Sequence, residues 1–148
     1  MLAVYLIGLL VLFFDQLTKF WVQNSMLPRD SIPLIPGVFH LTYVQNTGAA
    51  FGFLRGKTLF FIVVAVLVLG FIIFLAPRLS REKPLLGLVF GLLLGGALGN
   101  LIDRIRFGYV IDFLDFRVWP VFNIADMAIV VGVCFLIWEI WFRTPEGI

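Results

Sequence analysis

Four long apolar segments separated by polar loops make up most of the chain. They cover residues 2–22, 59–76, 85–102 and 124–142, and each is close to the roughly 20 apolar residues that a helix needs to cross a bilayer. The second and third segments carry no charged residue. The pattern predicts an all-α membrane protein with four transmembrane helices, and we expect residues 1–148 to form one integral membrane domain.

Prolines mark two of the predicted helix boundaries. Pro77 follows the second apolar segment and Pro84 precedes the third. Because proline lacks the backbone N–H that a helix interior uses, we expect the second helix to end at Pro77 and the third to begin just after Pro84.

A series of glycines runs along the third apolar segment. Gly87, Gly91, Gly95 and Gly99 are four residues apart, and Gly96 lies beside them. Small residues at this spacing allow helices to approach closely. Since a four-residue step drifts around the helix axis, the glycines are expected to contact more than one neighbouring helix.

Two polar loops, residues 23–57 and 103–121, contain strand-like sequence. In the first, GVFHLTYVQ is rich in β-branched and aromatic residues, NTG supplies a turn, and AAFGF continues as a second apolar stretch. This arrangement predicts a small β-hairpin, or β-cradle, at one membrane surface. The second loop contains YVIDFLDFRVW. Backbone at membrane depth must be hydrogen-bonded, so these strands are expected to pair with each other or with something bound.

The composition narrows the class of protein. Of 148 residues, 61% are hydrophobic and 14% are charged, against roughly 25% charged in a soluble domain. His40 and Cys134 are the single histidine and cysteine, so neither an internal disulfide nor a metal site rich in thiols or imidazoles is possible. No basic cluster is suited to nucleic acid. The first segment lacks a basic start and a cleavage site, and is expected to be a retained span.

The charges give a partial indication of orientation. A raw count of arginines and lysines does not favour either side, but the short loop PRLSREKP is dense in positive charge. That density favours cytoplasmic termini.

Counting the spans places many polar residues on one side of the membrane. With four spans, the far ends of the first and third helices, the start of the fourth, and both longer loops lie on the same side. The residues that share this side are Asp15, Asn46, Asn100, Asp103, Arg104, Asp112 and Asp126. Polar groups from three helices and two loops therefore converge, which predicts a functional site.

The aspartates are the candidate catalytic groups. A charged side chain at mid-membrane costs roughly 2.5–3.5 kcal/mol, so carboxylates near apolar segments indicate function. Two of them can divide the work of peptide hydrolysis. The ionised carboxylate takes a proton from water, and the protonated one polarises the scissile carbonyl and later protonates the leaving amine.

Simpler structural roles fit several of these residues. In NIAD, Asn123 can be the N-cap of the fourth helix with Asp126 at its third position. Asp15 and Lys19 are four residues apart and can pair on one helix face. Asp112 is harder to explain in this way, since it lies between two large apolar residues with no cap to make.

Two further charged groups also have structural interpretations. Asp103, Arg104 and Arg106 can form an interfacial charge cluster, and Asp115 with Arg117 can form a solvated strand face.

Two other classes of protein remain open from the pattern. A small proton or ion carrier could use Asp15, Asp112 and Asp126 as a relay, but it predicts carboxylates at several depths. A structural subunit of a complex would explain the glycines, but not the convergent polar residues.

Five motifs then identify a family. DQLTK, NTGAAFG, GNLIDR, VIDFLDF and FNIAD occur in this order among the four spans. Together they resemble the bacterial lipoprotein signal peptidases, also called signal peptidase II. The resemblance extends from Asp15 to Asp126.

The resemblance implies an aspartic endopeptidase of the bacterial inner membrane that needs no cofactor. Its partners would be membrane lipid and a prolipoprotein signal peptide, cleaved just before a cysteine that carries diacylglyceryl. Globomycin-like cyclic peptides would inhibit it, and the site would face the periplasm. By the same resemblance, Asp112 and Asp126 are the catalytic pair. The residues implied to bind substrate or support the site are Asp15, Asn46, Gly48, Asn100, Arg104 and Asn123.

Overall fold

The computed structural model describes residues 2–48 and 54–142, and only the backbone of residues 81–82. It contains the helices α1 (Leu2–Ser25), α2 (Thr58–Glu82), α3 (Pro84–Phe107) and α4 (Ile124–Phe142). Its strands are β1 (Ser31–Ile35), β2 (Phe39–Asn46) and β3 (Val110–Asp115). All four helices are long and apolar enough to cross a membrane, which confirms the four predicted spans.

The expected end of the second helix at Pro77 is wrong. α2 continues through Pro77 to Glu82. Proline removes a single helical hydrogen bond, and transmembrane helices tolerate it because other groups can satisfy the freed backbone. The boundary at Pro84 is confirmed, since this proline lies in the first turn of α3, where its missing N–H has no helical partner.

α3 is longer than predicted. It continues for one further turn to Phe107 and ends at Gly108, which adopts a left-handed conformation with φ of 80° and donates to the carbonyl of Arg104 at 3.0 Å. A residue with a Cβ would be strained there. The extra turn carries Asp103 and Arg104 as helical residues rather than as part of a loop.

α3 is the central helix and packs against α1, α2 and α4. Its glycines do contact more than one neighbour. A Cβ on Gly91 would lie 2.7 Å from Ile7 of α1, and a Cβ on Gly96 would lie 2.6 Å from the carbonyl oxygen of Ala125 of α4. The predicted role of the glycines in close packing is confirmed, because side chains here would push both helices away from α3.

The three strands form one antiparallel sheet in the order β1-β2-β3. The predicted strand in GVFHLTYVQ is confirmed as β2, and it pairs with β3 as expected, with Val44 opposite Asp112. The hairpin partner of β2 is β1, which the sequence did not indicate. The stretch AAFGF, predicted as the second strand, lies outside the described residues.

An apolar cluster joins the sheet to the helices. Val22 and Met26, at and just beyond the end of α1, pack with Tyr43 of β2 and with Ile111 and Phe113 of β3. This cluster holds the beginning of β3 against the end of the bundle. The carboxylate of Asp112 is thereby placed at the helix ends, although it belongs to a loop connection.

Candidate active site

The sheet end of the bundle gathers the polar side chains that the sequence singled out. Asn100 lies seven residues before the last residue of α3, or about 10 Å along the helix, so the site extends into the bundle. The predicted site residues that meet there are Asp15, Asn46, Gly48, Asn100, Arg104, Asp112, Asn123 and Asp126. Their predicted convergence is therefore confirmed.

Asn123 is the centre of this group and is completely buried. Its amide oxygen accepts from the backbone N–H of Asp126 at 2.8 Å, and its own backbone N–H donates to the Asp126 carboxylate at 3.3 Å. This reciprocal pair is a capping box, so the predicted cap of the fourth helix is confirmed.

The same side chain also reaches the second carboxylate. Its amide nitrogen donates to Oδ1 of Asp112 at 2.7 Å. It also lies 3.1 Å from the amide oxygen of Asn100 and 3.2 Å from the carbonyl of Ile111. Asn123 therefore hydrogen-bonds to both carboxylates, that of Asp112 in β3 and that of Asp126 in α4. Capping and site formation are two roles of one residue.

Each carboxylate receives a second amide donor. Asn46 of β2 donates to Oδ2 of Asp112 at 2.9 Å, and Asn100 of α3 donates to Oδ1 of Asp126 at 2.7 Å. Buried carboxylates need such donors, because an unpaired one would lose its hydration without compensation. The donors come from different elements, so the site exists only when β2, β3, α3 and α4 are assembled.

Gly48 and Arg104 extend the site along β2. The amide oxygen of Asn46 accepts from the backbone N–H of Gly48 at 2.9 Å. This contact fixes which end of the Asn46 side chain faces Asp112. The Arg104 guanidinium lies 3.4 Å from the carbonyl of Gly48 and stacks over the ring of Phe61, 4.9 Å from its centroid. A cation is thus held beside the two carboxylates.

Asp15 reaches the site from α1. Its carboxylate accepts from the backbone N–H of Ala125, in the first turn of α4, at 2.9 Å, and pairs with Lys19 at 2.9 Å. The predicted pairing with Lys19 is confirmed. Both side chains are buried rather than lying on an exposed helix face, and Gly99 makes room for Asp15, because a Cβ there would collide with its carboxylate.

The interpretation of Asp103 as part of an interfacial charge cluster is wrong. Asp103 is 1% exposed, pairs with Lys19 at 2.8 Å, and accepts from Gln16 and from the backbone N–H of Ile111. Its spacing offered a signal: Asp103 is three residues after Asn100, so the two share a helix face. Sequence reasoning missed Gln16, Lys19 and Asp103 as a buried layer beneath the site.

Asp115 pairs with Arg117 at 2.9 Å. The solvated strand face is only half correct, because Asp115 itself is buried while Arg117 is half exposed. Burial alone would raise the pKa of Asp115, but hydrogen bonds from Thr42 and Arg117 outweigh it and hold the pKa below its usual range.

Asp112 has the opposite electrostatic environment. Its pKa is raised from 3.8 to about 7, first because the carboxyl is buried and then because the charge of Asp126 is close. Hydrogen bonds from Asn46 and Asn123 and the charge of Lys19 act in the other direction without reversing the shift. One of the two carboxyls can therefore hold a proton near neutral pH.

An apolar groove of about 730 Å³ begins at the two carboxylates. α3 packs against both α2 and α4, and the groove runs between α2 and α4 with α3 at its base. Val64 of α2 and Val130 of α4 line it and are exposed, so it opens on the apolar outer surface of the bundle. The polar side chains that line it are Asn46, Asn100, Arg104, Asp112 and Asp126.

The fold and the site define a multi-pass membrane protein with a pair of carboxylates, one buried and one partly buried, at the head of an apolar groove. A family model described as signal peptidase (SPase) II matches residues 7–142. The chain belongs to the signal peptidase II family, and this membership implies a peptidase.

Individual relatives agree with the family match. The lipoprotein signal peptidase of Moorella thermoacetica is 56% identical over 141 residues, which cover 95% of this chain and 94% of that protein. That of Halothermothrix orenii is 52% identical and covers 97% of this chain and 99% of its own length. A solved bacterial membrane enzyme superposes with a TM-score of 0.90 at 33% identity, covering 98% of this chain and 93% of the other.

Proposed function

We propose that this chain is an aspartic endopeptidase that removes the signal peptide from diacylglyceryl-modified prolipoproteins, cutting just before the lipidated cysteine. One observation supports this most directly. Two carboxylates, the buried Asp112 and the partly buried Asp126, share Asn123 as a hydrogen-bond partner at the head of an apolar groove that opens on the outer surface of the bundle. The names of the relatives supply the substrate class.

The pair would work by general acid–base catalysis with one shared proton. The ionised carboxyl takes a proton from a water molecule as the water oxygen bonds to the scissile carbonyl carbon. The protonated carboxyl gives its proton to the carbonyl oxygen, which produces a tetrahedral diol. The C–N bond then breaks and the leaving nitrogen receives the proton first taken from water. One hydroxyl of the diol returns its proton to the other carboxylate as the new carboxyl group forms, so the dyad regains its single proton.

The raised pKa of Asp112 suits this division of labour. A carboxyl with a pKa of about 7 remains substantially protonated near neutral pH. Asn100 donates to Asp126 at 2.7 Å, and the Arg104 charge acts more strongly on Asp126 than on Asp112, so the ionised form of Asp126 is favoured. Asp112 is then the proposed acid and Asp126 the proposed base in the first step.

The groove explains how a lipidated substrate could reach the two carboxylates. A signal peptide enters as a helix and must unwind locally before its backbone can be attacked. The Asn46 side chain lies beside Asp112 and the Gly48 carbonyl lies beside Arg104, and groups of this kind can replace the hydrogen bonds that the peptide loses. The apolar walls of the groove can hold the acyl chains in continuity with the bilayer.

The remaining expectations belong to the same proposal. The site faces the periplasm of the inner membrane and both termini are cytoplasmic. Membrane lipid surrounds the bundle, and globomycin-like cyclic peptides bind at the site. The alternative of a proton relay is disfavoured because the carboxylates lie together at one end of the bundle, whereas a relay requires them at successive depths. Asp112 and Asp126 share Asn123, and Asp15 accepts from the backbone of Ala125, next to Asp126.

A cleavage assay with purified protein tests the proposal. The substrates are one precursor with diacylglyceryl on its cysteine and the same precursor without lipid. We expect cleavage of the lipidated form before the cysteine, much slower cleavage of the other, and no cleavage by Asp112→Asn or Asp126→Asn. Turnover by either variant at the wild-type rate would remove that residue from the dyad. Inhibition by EDTA that zinc reverses would contradict the aspartic mechanism.

A further inference from the structure

Lys19 is the largest completely buried side chain among the described residues, with 1% of its surface exposed. An ammonium group in this position needs full compensation, because burial removes its hydration. Its nitrogen has three acceptors: Asp15 Oδ2 at 2.9 Å, Asp103 Oδ2 at 2.8 Å and Asn100 Oδ1 at 3.1 Å. These match the three N–H donors of a lysine.

The contact with Asn100 links this layer to the proposed dyad. The Asn100 side chain accepts from Lys19 through its oxygen and donates to Asp126 through its nitrogen at 2.7 Å. If the amide turned over, its nitrogen would face the Lys19 ammonium and its oxygen would face the Asp126 carboxylate. Both contacts would become repulsive, so the position of Lys19 determines which end of Asn100 faces Asp126.

Asn123 cannot supply this constraint alone. It also donates to the Asn100 oxygen, at 3.1 Å, but the same nitrogen has alternative acceptors in Asp112 and the Ile111 carbonyl. Lys19 has three donors and three acceptors, so loss of its contact with Asn100 would leave one buried N–H without a partner.

The charge of Lys19 also acts on the two carboxylates. The charged groups that face the dyad are Arg104 and Lys19, and Lys19 is partly neutralised by Asp15 and Asp103. A change at Asp103 should therefore alter how strongly the Lys19 charge acts on the dyad, while the contact between Lys19 and Asn100 is retained.

We infer that Lys19 is a positioning residue for the reaction. Through Asn100 it fixes the amide that donates to Asp126, and its charge favours the ionised form of that carboxylate. This inference rests on the proposed function. A purely structural Lys19 would join α1 to α3 through Asp15 and Asp103 with no effect on the chemistry of the dyad.

Kinetics over a pH range distinguish the two roles. In Lys19→Met, we expect kcat to fall about ten- to hundredfold, the equivalent of one hydrogen bond to a charged group. KM should change little, and the acidic limb of the pH profile should move to higher pH. In Asp103→Asn, Lys19 is less neutralised, so the acidic limb should move to lower pH. Lys19→Arg, which keeps the charge and the donors, should recover part of kcat.

Lys83→Met is the matched control. Lys83 pairs with a buried carboxylate, Glu139, at 3.1 Å, but at the opposite end of the bundle. Its loss should change thermal stability without moving kcat or the pH profile. The folded fraction of each variant is measured in the same detergent, so that unfolding is separated from loss of rate.

The variants distinguish a wrong role for Lys19 from a wrong assignment of the dyad itself. If Asp126→Asn still cleaves, the proposed function fails and this inference fails with it. If Asp126→Asn is inactive but folded Lys19→Met keeps the wild-type kcat and pH profile, the dyad stands and Lys19 is only structural. If Lys19→Met does not fold, the test relies on Asp103→Asn. An acidic limb at the wild-type position in the pH profile of that variant would overturn the inference.

Discussion

Asp112 and Asp115 lie three residues apart on β3, yet their surroundings give them opposite properties. At the beginning of the strand, burial and the charge of Asp126 raise the pKa of Asp112 to about 7. At its end, burial would also raise the pKa of Asp115, but Thr42 and Arg117 hold it below the usual range. Burial alone therefore does not make an aspartate a candidate catalytic acid. The neighbouring groups set the direction of the pKa shift. Asp112 has two neutral amides and a second carboxylate beside it, whereas Asp115 has a hydroxyl and a guanidinium.

The largest expected effect is on turnover. Asp112→Asn should reduce kcat by at least about a hundredfold, the lower bound of what a general acid–base group contributes. Asp115→Asn, on the same strand, should keep most of the activity because Asp115 contacts Thr42 and Arg117 and lies outside the groove. Single-turnover cleavage of lipidated precursor measures both. Equal losses in the two variants would show that the strand, rather than the dyad, is being disturbed.

The next effect comes from the amide and hydroxyl donors on β2. Asn46 donates to Asp112 at 2.9 Å and Thr42 donates to Asp115 at 2.7 Å. Asn46→Ala should lower kcat about tenfold and move the basic limb to higher pH, because the Asp112 carboxylate loses a stabilising donor and the proposed acid keeps its proton longer. Thr42→Ala is the matched control and should leave kcat and the limb in place. A pH profile of each variant tests this, and a normal profile in Asn46→Ala would remove Asn46 from the site.

A smaller effect concerns stability as a function of pH. The folded-state pKa of Asp112 lies above its ordinary value of 3.8, so its favourable contribution is complete below that value and is lost as pH rises through about 7. Thermal unfolding in detergent should therefore show Asp112→Asn gaining stability relative to wild type as the pH rises from roughly 5 to 8, a range that includes the folded-state pKa.

Asp115→Asn serves as the control for that measurement. The folded-state pKa of Asp115 is lowered, so its contribution is present above pH 3.8 and is lost only as pH falls through the lower folded value. Its difference from wild type should stay flat between about pH 5 and pH 8. A rising difference for both variants would contradict the assigned directions of the two pKa shifts.

The smallest effect on activity is expected from cysteine substitutions that test on which side of the membrane two segments lie. Cys134→Ala should retain turnover, because Cys134 does not line the groove that begins at the dyad. In that background, cysteines at Val118, beyond β3, and at Arg78, near the end of α2, should react with an impermeant thiol reagent from opposite sides of the membrane. Reaction of both from the same side would contradict the topology of four spans.

Much of the fold followed from local patterns. Apolar length predicted the four spans, glycine spacing predicted the close packing of α3, and β-branched and aromatic residues predicted β2 and β3. The error at Pro77 and the failure to foresee β1 as a partner of β2 have a common cause. Each depends on what surrounds the segment, and a single proline or a strand-like run does not specify its neighbours.

The candidate site divides in the same way. NIAD predicted the capping box from spacing alone, and the family motifs indicated the two aspartates. Asp103 was misinterpreted because its environment depends on α1: Lys19 and Gln16, more than 80 residues away in sequence, make it a buried acceptor. Such a contact has no local signal.

Hydrophobic length and the number of spans are properties of the chain, so the amino-acid sequence alone predicted the membrane class, the four spans and the end of the bundle where the polar residues converge. The folded structure was needed to show how Asp112 and Asp126 are held, which amide faces each one, and that Lys19 lies beneath them. A hydrogen bond requires atoms within about 3 Å. Contacts between β2, β3, α1, α3 and α4 at that range exist only once the bundle and sheet have assembled around α3.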